Sequence, residues 1–384
     1  IFILLYFETT PLGVVTASQL WKVFLFLYLL VVVLTHKVKV LPGFVKASYF
    51  RSIKFILNPG IYLNPLAEIL DFSRYSLFPL LYHFLEIKKT KLFQIDKALI
   101  YSSIFFIVSF LPFVLGLLES RGSQLEYYEG FANLTGLFQG PHAASVTSTM
   151  SVLFILYFNK NYKFSRLARI FNLVVITFGI YIVFVTFVRT GYLMLILGVI
   201  IIYLPKKITP LTVIRLFLFI CFLIFILYFL LENNQEFYNR IFDIRNGNQK
   251  EVGSGRLLFW ITAFNLWLSG NIIEFLFGFG FEALTVAIEK VTGYKVFAHN
   301  EFLTQLAQNG IIGFCLLIWF VTSLFKFIFK RRKMFSYRIS IAVFVVYISL
   351  MMTQGGFWFY PEFFLALILY KLDKEFQKSN EFIL

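Results

Sequence analysis

The chain has 384 residues, of which 59% are hydrophobic and 14% are charged, whereas an ordinary soluble domain carries about 25% charged residues. This composition supplies too few polar side chains for a water-exposed surface, so it excludes a soluble globular domain. The net charge of +15 suggests a nucleic-acid-binding protein as an alternative. However, the basic residues form short clusters between apolar stretches, as cytoplasmic loops of membrane proteins do, and we expect no nucleic-acid partner.

We predict an all-α integral membrane protein with a helical bundle of about 10–12 spans, because roughly 20 apolar residues in a helix cross a bilayer. The predicted spans cover residues 17–35, 66–86, 98–118, 142–158, 169–188, 190–204, 211–231, 302–329, 337–353 and 360–371. The last two are short and are either two tilted helices or a broken pair. Because the sequence begins at Ile1 within an apolar pattern, we expect residues 1–7 to be the tail of a span whose start is missing.

Clusters of lysine and arginine assign the loops to the two sides of the membrane. The loops predicted to be cytoplasmic contain the basic residues of 88–91, 160–169, 206–207, 326–333 and 371–374. The segments 119–141 and 232–301 then face outward, and together they contain 11 of the 20 acidic residues. Segment 36–54 does not fit this assignment. Its basic residues predict a cytoplasmic position, but the span that follows it has to begin outside. This region contains either an extra, imperfect crossing within 41–62 or a re-entrant piece broken at Pro59-Gly60.

The outward segment 232–301 is far longer than the other connections, and loops beyond about 15 residues are usually functional or disordered. It contains Trp260, Trp267 and many other apolar residues, so we predict a folded cap that lies on the membrane. A helix is expected from Gly255 to Leu268 with Ser254 as its N-cap, then a break at Gly278–Gly280 and a second short helix over 281–291. The predicted units are an N-terminal bundle (1–231), the outward helical loop (232–301) and the C-terminal spans with a cytoplasmic tail (302–384).

Two arginines on the outward side are candidates for function, because topology does not explain them. Arg189 lies at the edge between two apolar spans, where it is either functional or an arginine that extends toward lipid phosphate. Arg256 begins the loop helix after Gly253-Ser254-Gly255. The free N–H groups and the dipole of such a helix start favour an anion such as phosphate. The alternative is a flexible loop with a solvated arginine.

His299 and Asn300 directly precede the span 302–329. A neutral imidazole at this position could act as a general base near pH 7. The alternative is an interfacial cap, in which Asn300 starts the helix and His299 is only a polar neighbour.

His142 and Arg74 are weaker candidates. His142 opens the span 142–158 and could line the same outer cavity. Arg74 lies in or at the edge of the span 66–86, where charges are costly and therefore suggest function. An ion cluster of Arg74 with Asp71 and Glu68 is an equally good explanation.

The sequence contains no Walker A, CxxC or HExxH motif. The outward loops also lack the paired acidic residues that hold a divalent metal on a sugar diphosphate, and the one comparable pattern is Asp373-Lys374-Glu375 at the cytoplasmic end. We therefore predict no metal and no cofactor, and we expect arginine to stabilise the charge of any bound phosphate.

In the order and spacing of its outward motifs, the sequence resembles the O-antigen ligase/O-antigen polymerase superfamily. The motifs are Ser254-Gly255-Arg256 with Trp260, Phe277-Gly278-Phe279-Gly280, His299-Asn300-Glu301-Phe302-Leu303, Asn309-Gly310-Ile311-Ile312-Gly313, Arg189-Thr190-Gly191 and, more weakly, Leu137–His142.

The resemblance implies a glycosyltransferase C-like fold and a metal-independent membrane glycosyltransferase of the bacterial cell envelope. The substrate would be a polyprenyl-diphosphate-linked saccharide on the outer face of the cytoplasmic membrane. By motif match, Arg189 and Arg256 would hold the donor diphosphate, and His299 would deprotonate or orient the acceptor hydroxyl. The further substrate-binding candidates are Asn300, Trp260, His142 and Arg74.

Within the resemblance, we favour a polymerase of repeat units of O-antigen, capsule or exopolysaccharide, because polymerases are commoner and more diverse. The alternative is an O-antigen ligase that transfers the glycan to lipid A-core. A transporter or flippase of lipid-linked glycan is a candidate from another class, but transporters place charges and helix breaks at mid-membrane, and the spans from 169 onward have nearly charge-free centres. A peptidoglycan-type polymerase would require an outward catalytic carboxylate, for which Asp243 is the one aspartate in 232–301. Expected partners are membrane lipids, a chain-length regulator and a flippase.

Overall fold

The computed structural model describes residues 11–12, 15–36, 41–56, 65–119, 134–138, 140–204, scattered positions between 209 and 238, 244–245, 248–249, 256–293, 296–355 and 359–381. Within these ranges the side chains of residues 11–22, 53–75, 244–249, 281–282 and 359 are not described.

Among the described residues, fourteen α-helices have defined bounds, and there are two antiparallel β-ladders with two residues in each strand. The helices are α1 (Ala17–Thr35), α2 (Gly43–Ile56), α3 (Pro65–Ile87), α4 (Leu92–Val108), α5 (Leu111–Val114), α6 (Pro141–Asn161), α7 (Arg166–Val185), α8 (Arg189–Tyr203), α9 (Arg256–Leu268), α10 (Ile272–Phe277), α11 (Phe281–Thr292), α12 (Glu301–Lys330), α13 (Tyr337–Thr353) and α14 (Phe359–Glu381). In the ladders β1 (Pro11–Leu12) pairs with β2 (Val15–Thr16), and β3 (Ile244–Arg245) pairs with β4 (Asn248–Gln249). Between 211 and 238 every described position is helical.

The helix lengths confirm the predicted fold class, a polytopic α-helical membrane protein. In the described part of the chain, four helical stretches are long and apolar enough to cross a bilayer. They are Leu92–Val114, Pro141–Asn161, Arg166–Val185 and Glu301–Lys330. Shorter apolar helices accompany them, including α8 and α13.

Helix α6 lies at the centre of the bundle and packs against α4, α7, α8, α13 and α14. Glycines let its neighbours approach closely, as is common between membrane helices. A Cβ added at Gly198 of α8 would lie 2.4 Å from the Leu153 side chain of α6, and one at Gly179 of α7 would lie 2.5 Å from Val152. The small residues therefore fix the spacing of α7 and α8 around the central helix.

We call the end of the bundle near residues 88–91 and 330–338 the basic end, and the opposite end the cap end. At the basic end, α14 continues past the apolar region, because its charged residues pair with neighbouring helices. The pairs are Arg331 with Asp373, Lys371 with Asp96, and Lys374 with Glu86. The helix is consequently longer than the predicted span 360–371. Both acidic residues of the Asp373-Lys374-Glu375 pattern have partners within the bundle. Asp373 pairs with Arg331, and the side chain of Glu375 accepts hydrogen bonds from Ser336.

Helix α2 explains the segment that fitted the topology poorly. Near its start, the ring of Phe44 lies 4.6 Å from that of Phe327, close to the basic end of α12. Farther along, Arg51 pairs with Glu301, the first residue of α12. From Phe44 to Arg51 the helix therefore runs along α12 away from the basic end, and its 14 residues make it shorter than the four candidate spans. Pro59-Gly60 lies outside the described residues.

The cap, residues 256–300, contains both predicted helices and one that sequence patterns missed. Helix α9 begins at Arg256 and α11 at Phe281, close to the expected positions, while Ser254 lies outside the described residues. The additional helix α10 begins with a capping box, in which Asn271 and Glu274 bond each other's backbone N–H groups. Helix α9 packs on α12, α10 and α11, so the cap is joined to the bundle through α12.

The two ends of the bundle should lie on opposite sides of the membrane. We expect Ser269→Cys, an exposed cap position, to react with a membrane-impermeant maleimide in intact cells. Lys88→Cys, exposed at the basic end, should react only after permeabilisation. Both variants would be made in a background in which the exposed Cys221 and Cys315 are replaced by serine. Labelling of both positions from one side would contradict the topology.

Candidate functional site

Arg256 and His299 are brought together by the packing of α9 against the segment 296–300, which precedes α12. One turn after Arg256, the indole Nε1 of Trp260 donates a hydrogen bond of 3.0 Å to the carbonyl oxygen of Ala298. The ring of Phe259 lies 6.2 Å from the imidazole of His299. Trp260 therefore positions the backbone beside His299, and Arg256 is close enough for its charge to act on the imidazole.

The backbone at His299 is held in a rare conformation. Its φ is 53°, in the left-handed region that costs non-glycine residues about 1–3 kcal/mol and that clusters at functional sites. The next residue, Asn300, is the N-cap of α12, and its side-chain oxygen accepts the Leu303 N–H at 3.2 Å. Asn300 is therefore the cap that starts α12, as one of the two explanations from the sequence proposed. This helix start fixes the turn that presents His299.

The imidazole of His299 is fixed by a hydrogen bond to the side chain of Gln354, which directly follows α13. Nδ1 of His299 and the amide nitrogen of Gln354 are buried and have no hydrogen-bond partner. A bond from Nε2 to the amide oxygen would account for both unpartnered nitrogens, with the ring proton on Nε2 and a lone pair on Nδ1. The nitrogen Nδ1 is covered, so a ligand can reach it only when the covering side chains part.

Burial and the nearby charge of Arg256 lower the pKa of His299 from its ordinary value of 6.5 to about 4, although the bond to Gln354 opposes the shift. Both main causes disfavour the imidazolium, because a buried cation loses hydration and a second positive charge repels it. The imidazole is consequently neutral at pH 7, as a proton acceptor has to be.

The Gly278-Phe279-Gly280 turn docks into a break in α12. At Gly310 the backbone is non-helical, with φ 63° and ψ −169°, and this interrupts the bonds that the carbonyls of Ala307 and Gln308 would accept within a helix. The N–H groups of Phe279 and Gly280 donate to these two carbonyls, each at 3.0 Å.

Only glycine fits on either side of this contact. A Cβ at Gly278 would lie 2.3 Å from the carbonyl of Gln308, and one at Gly310 would lie 2.4 Å from the carbonyl of Leu276. Both glycines also have positive φ. The two glycine motifs found in the sequence are therefore two halves of one joint, which we call the glycine joint.

Arg189 begins α8, and the turn before it is also strained, since Phe187 has a φ of 51°. Gly191 lies directly against Ser145 of α6, where an added Cβ would be 1.9 Å from the hydroxyl oxygen. His142 is one turn earlier on α6, so it lies at the same end of the bundle as the Arg189 turn.

Helix packing brings the Arg189 turn to the end of the bundle that carries Gln354. Helices α8 and α13 pack along each other, and Arg338 near the start of α13 donates to the carbonyl of Ile202 near the end of α8 at 3.5 Å. The two helices are therefore antiparallel. Arg189 is 13 residues and Gln354 is 16 residues from this contact, which correspond to about 20 and 24 Å of helix.

Arg74 lies in α3, but its side chain is outside the described part of the structure, as are those of Glu68 and Asp71. In the weaker Leu137–His142 motif, Leu137 and Phe138 are buried, and Gln139 is not described. Within the described ranges, no group of three or more His, Cys, Asp or Glu residues could hold a metal ion.

Sequence reasoning missed Gln354 and gave Glu301 no role. Gln354 ends an otherwise apolar helix, which is a signal for function that could have been used. Glu301 is the first residue of the predicted span after His299-Asn300, and its side chain is buried with Arg51. For Arg51, the available signal was that its basic segment, 36–54, did not fit the predicted topology.

Residues 173–318 match the family described as O-antigen ligase. The match covers less than half of the chain, but it contains Arg189, Arg256, His299 and both sides of the glycine joint. It agrees with the resemblance seen in the motifs, and it indicates membrane glycan transfer of the ligase or polymerase type. No curated protein matches the sequence.

Gly191→Ala should displace the Arg189 turn, because its Cβ would clash with Ser145. We expect a loss of about 1–3 kcal/mol, the usual cost of overpacking, measured as thermal unfolding in detergent. Ser145→Gly in the same chain should recover most of the stability lost. Equal destabilisation with and without Ser145→Gly would show that this contact is not the cause.

Arg256→Gln should raise the pKa of His299 above about 4 but not to 6.5, because burial, the larger cause, remains. The check is a pH titration of isotopically labelled histidine by NMR. The His299 signal is assigned by its loss in His299→Ala, since the chain has four histidines. In the unsubstituted protein, His299 should stay neutral until the pH falls toward about 4. An unchanged titration in Arg256→Gln would refute the coupling.

Proposed function

We propose that this protein, whose residues 173–318 match the O-antigen ligase family, polymerises polyprenyl-diphosphate-linked oligosaccharide repeat units of a surface polysaccharide. One observation carries the proposal: Arg256 and a neutral, half-buried His299 lie side by side within the matched region. The arginine can bind an anionic leaving group. The imidazole can accept the proton of the hydroxyl that replaces this group.

The donor diphosphate would bind where α9 begins. The first N–H groups of a helix have no partner within the helix and carry partial positive charge, so they favour phosphate. The guanidinium of Arg256 adds a planar set of donors that matches phosphate oxygens in pairs. Arg189 begins α8 in the same way and would supply a second guanidinium. Neither contact requires a metal ion.

In the reaction, the acceptor hydroxyl oxygen forms a bond to the anomeric carbon of the donor sugar. The bond from that carbon to the diphosphate oxygen breaks, and polyprenyl diphosphate leaves with the electron pair. The hydroxyl proton passes to Nδ1 of His299. The negative charge of the bound diphosphate would offset Arg256 and raise the pKa of His299, so the imidazole becomes a stronger base when the donor is in place.

The lipid part of the donor has an apolar surface beside Arg256. Leu257, Ile261, Phe264 and Leu268 recur at helical spacing on α9, and their side chains are exposed. A polyprenyl chain whose diphosphate is bound at Arg256 could lie along this stripe at the membrane surface. This apolar stripe supports a lipid-linked donor, and we infer from the charge pattern of the loops that the site lies on the outer face of the cytoplasmic membrane.

A ligase is the second candidate, because the matched family is described by that activity. Its chemistry at Arg256 and His299 would be the same, with lipid A-core instead of a second lipid-linked repeat as acceptor. We place the polymerase first because polymerases are the commoner and more diverse enzymes. In either case, we infer that a flippase delivers the donor and that a chain-length regulator acts on the polymer.

His299→Ala and Arg256→Ala should each abolish glycan transfer without affecting membrane insertion. The assay uses purified protein with a polyprenyl-diphosphate-linked repeat unit in detergent and EDTA, and it measures released polyprenyl diphosphate and glycan length. Asn265→Ala, an exposed polar position on α9, is the matched control and should remain active.

Elongated glycan on the polyprenyl carrier supports a polymerase. Transfer only after lipid A-core is added identifies a ligase. If no polyprenyl diphosphate is released under any condition, the transferase proposal fails, and the transporter alternative takes its place. If either alanine variant restores long-chain glycan in a deletion strain, the site assignment is wrong.

A further inference from the structure

Arg51 is a buried cation that the proposed reaction does not use. It lies on α2, outside the matched region, and 3% of its side chain is exposed. Its Nη2 is 3.8 Å from Oε1 of Glu301, whose side chain is 5% exposed. Burying two such charges costs several kcal/mol per ion, and their attraction often fails to offset that cost. Stability alone is therefore a weak explanation for this pair.

Arg51 contacts two parts of α12 that are far apart along the chain. Besides Glu301, its guanidinium carbon lies 5.3 Å from the centre of the Phe320 ring. Nineteen residues separate these contacts, which is about 28 Å in a straight helix. One side chain cannot reach both ends of such a helix. The break at Gly310 must therefore fold the first part of α12 back, with Arg51 across the bend.

The folded-back part, Glu301–Asn309, is braced along its length by side chains. The Gln305 amide donates to Oε1 of Glu301 at 2.7 Å, and the Asn309 amide donates to Oε1 of Gln305 at 3.0 Å. This ladder runs from the Arg51 contact to the break, where the glycine joint fastens the cap. The bend is thus fixed by Arg51 and Glu301 at one position and by the glycine joint at another.

Glu301 also adjoins both residues that fix the catalytic imidazole. It follows His299-Asn300 in the chain. A Cβ placed on Gly355 would lie 3.7 Å from Oε2 of Glu301, and Gly355 is the neighbour of Gln354, which bonds His299. A shift of Glu301 would consequently move the turn that presents His299 and disturb the backbone next to Gln354.

We propose that Arg51 is a positioning residue for the glycosyl transfer, which acts through Glu301 to hold His299 where it accepts the proton. The inference rests on the proposed function and adds to it a residue from a distant helix that touches neither substrate. Because the donor contacts of Arg189 and Arg256 do not involve Arg51, its loss should lower kcat and leave the KM for the lipid-linked donor nearly unchanged.

The test compares Arg51→Met, Arg51→Lys and the control Arg331→Met in the purified full-length protein. Arg331 also pairs with a carboxylate on another helix, Asp373, but at the basic end. We expect kcat to fall roughly 10- to 100-fold in Arg51→Met, the scale expected when a catalytic group moves by about 1 Å. Arg51→Lys, which keeps the charge, should recover part of the loss. Arg331→Met should lose thermal stability and keep its kcat.

A second readout does not depend on turnover. Diethyl pyrocarbonate modifies neutral imidazoles, and peptide mass spectrometry measures its rate at His299. The rate should be slow in the unsubstituted protein and in Arg331→Met, and several-fold faster in Arg51→Met, because His299 loses its fixed place. If the unsubstituted protein transfers no glycan, the proposed function fails, while the labelling still tests the placement of His299. Unchanged kcat and unchanged labelling in Arg51→Met, or a rise in KM alone, would overturn the inference.

Discussion

The glycine joint is the contact on which the geometry of the site depends. Two backbone N–H groups of the cap, those of Phe279 and Gly280, satisfy carbonyls that the break at Gly310 releases from α12. In an apolar environment an unsatisfied backbone group costs several kcal/mol, so neither the break nor the turn is stable alone. Their union fixes α9 above the bundle and turns Glu301–Asn309 back, which sets the relation between Arg256 and His299.

The electrostatics of the site follow from this arrangement. His299 is half-buried, and Arg256 and Gln354 both lie close enough to act on its imidazole. Burial and a neighbouring cation favour the neutral imidazole, and an arriving diphosphate would reverse the second of these effects. A base that gains strength when the donor binds is suited to a transfer that needs both substrates present. The buried pair of Arg51 and Glu301 braces the same turn from the membrane side.

Sequence patterns predicted most of the helices, because apolar length is a local property. The ranges 17–35 and 337–353 coincide with α1 and α13. Patterns failed where distant contacts decide the outcome. The 14-residue helix α2 is too short and too basic to read as a span, and it joins the bundle because α12 packs along it and Glu301 pairs with Arg51. Helix α14 extends to Glu381 because its charged turn pairs with other helix ends.

The candidate site divides in the same way between sequence and tertiary structure. The sequence by itself determined the membrane class and predicted the long cap, since composition and apolar length are written in the chain, and its motifs suggested Arg256 and His299 as candidates for binding a diphosphate and a hydroxyl. Only the tertiary structure decided that Arg256 lies beside His299, that Gln354 fixes the imidazole, and that two glycine motifs form one joint. Within each of these pairs, the residues are separated by 32 to 55 positions. Their meeting depends on how helices pack and on which backbone groups remain to be satisfied, and no local pattern encodes either.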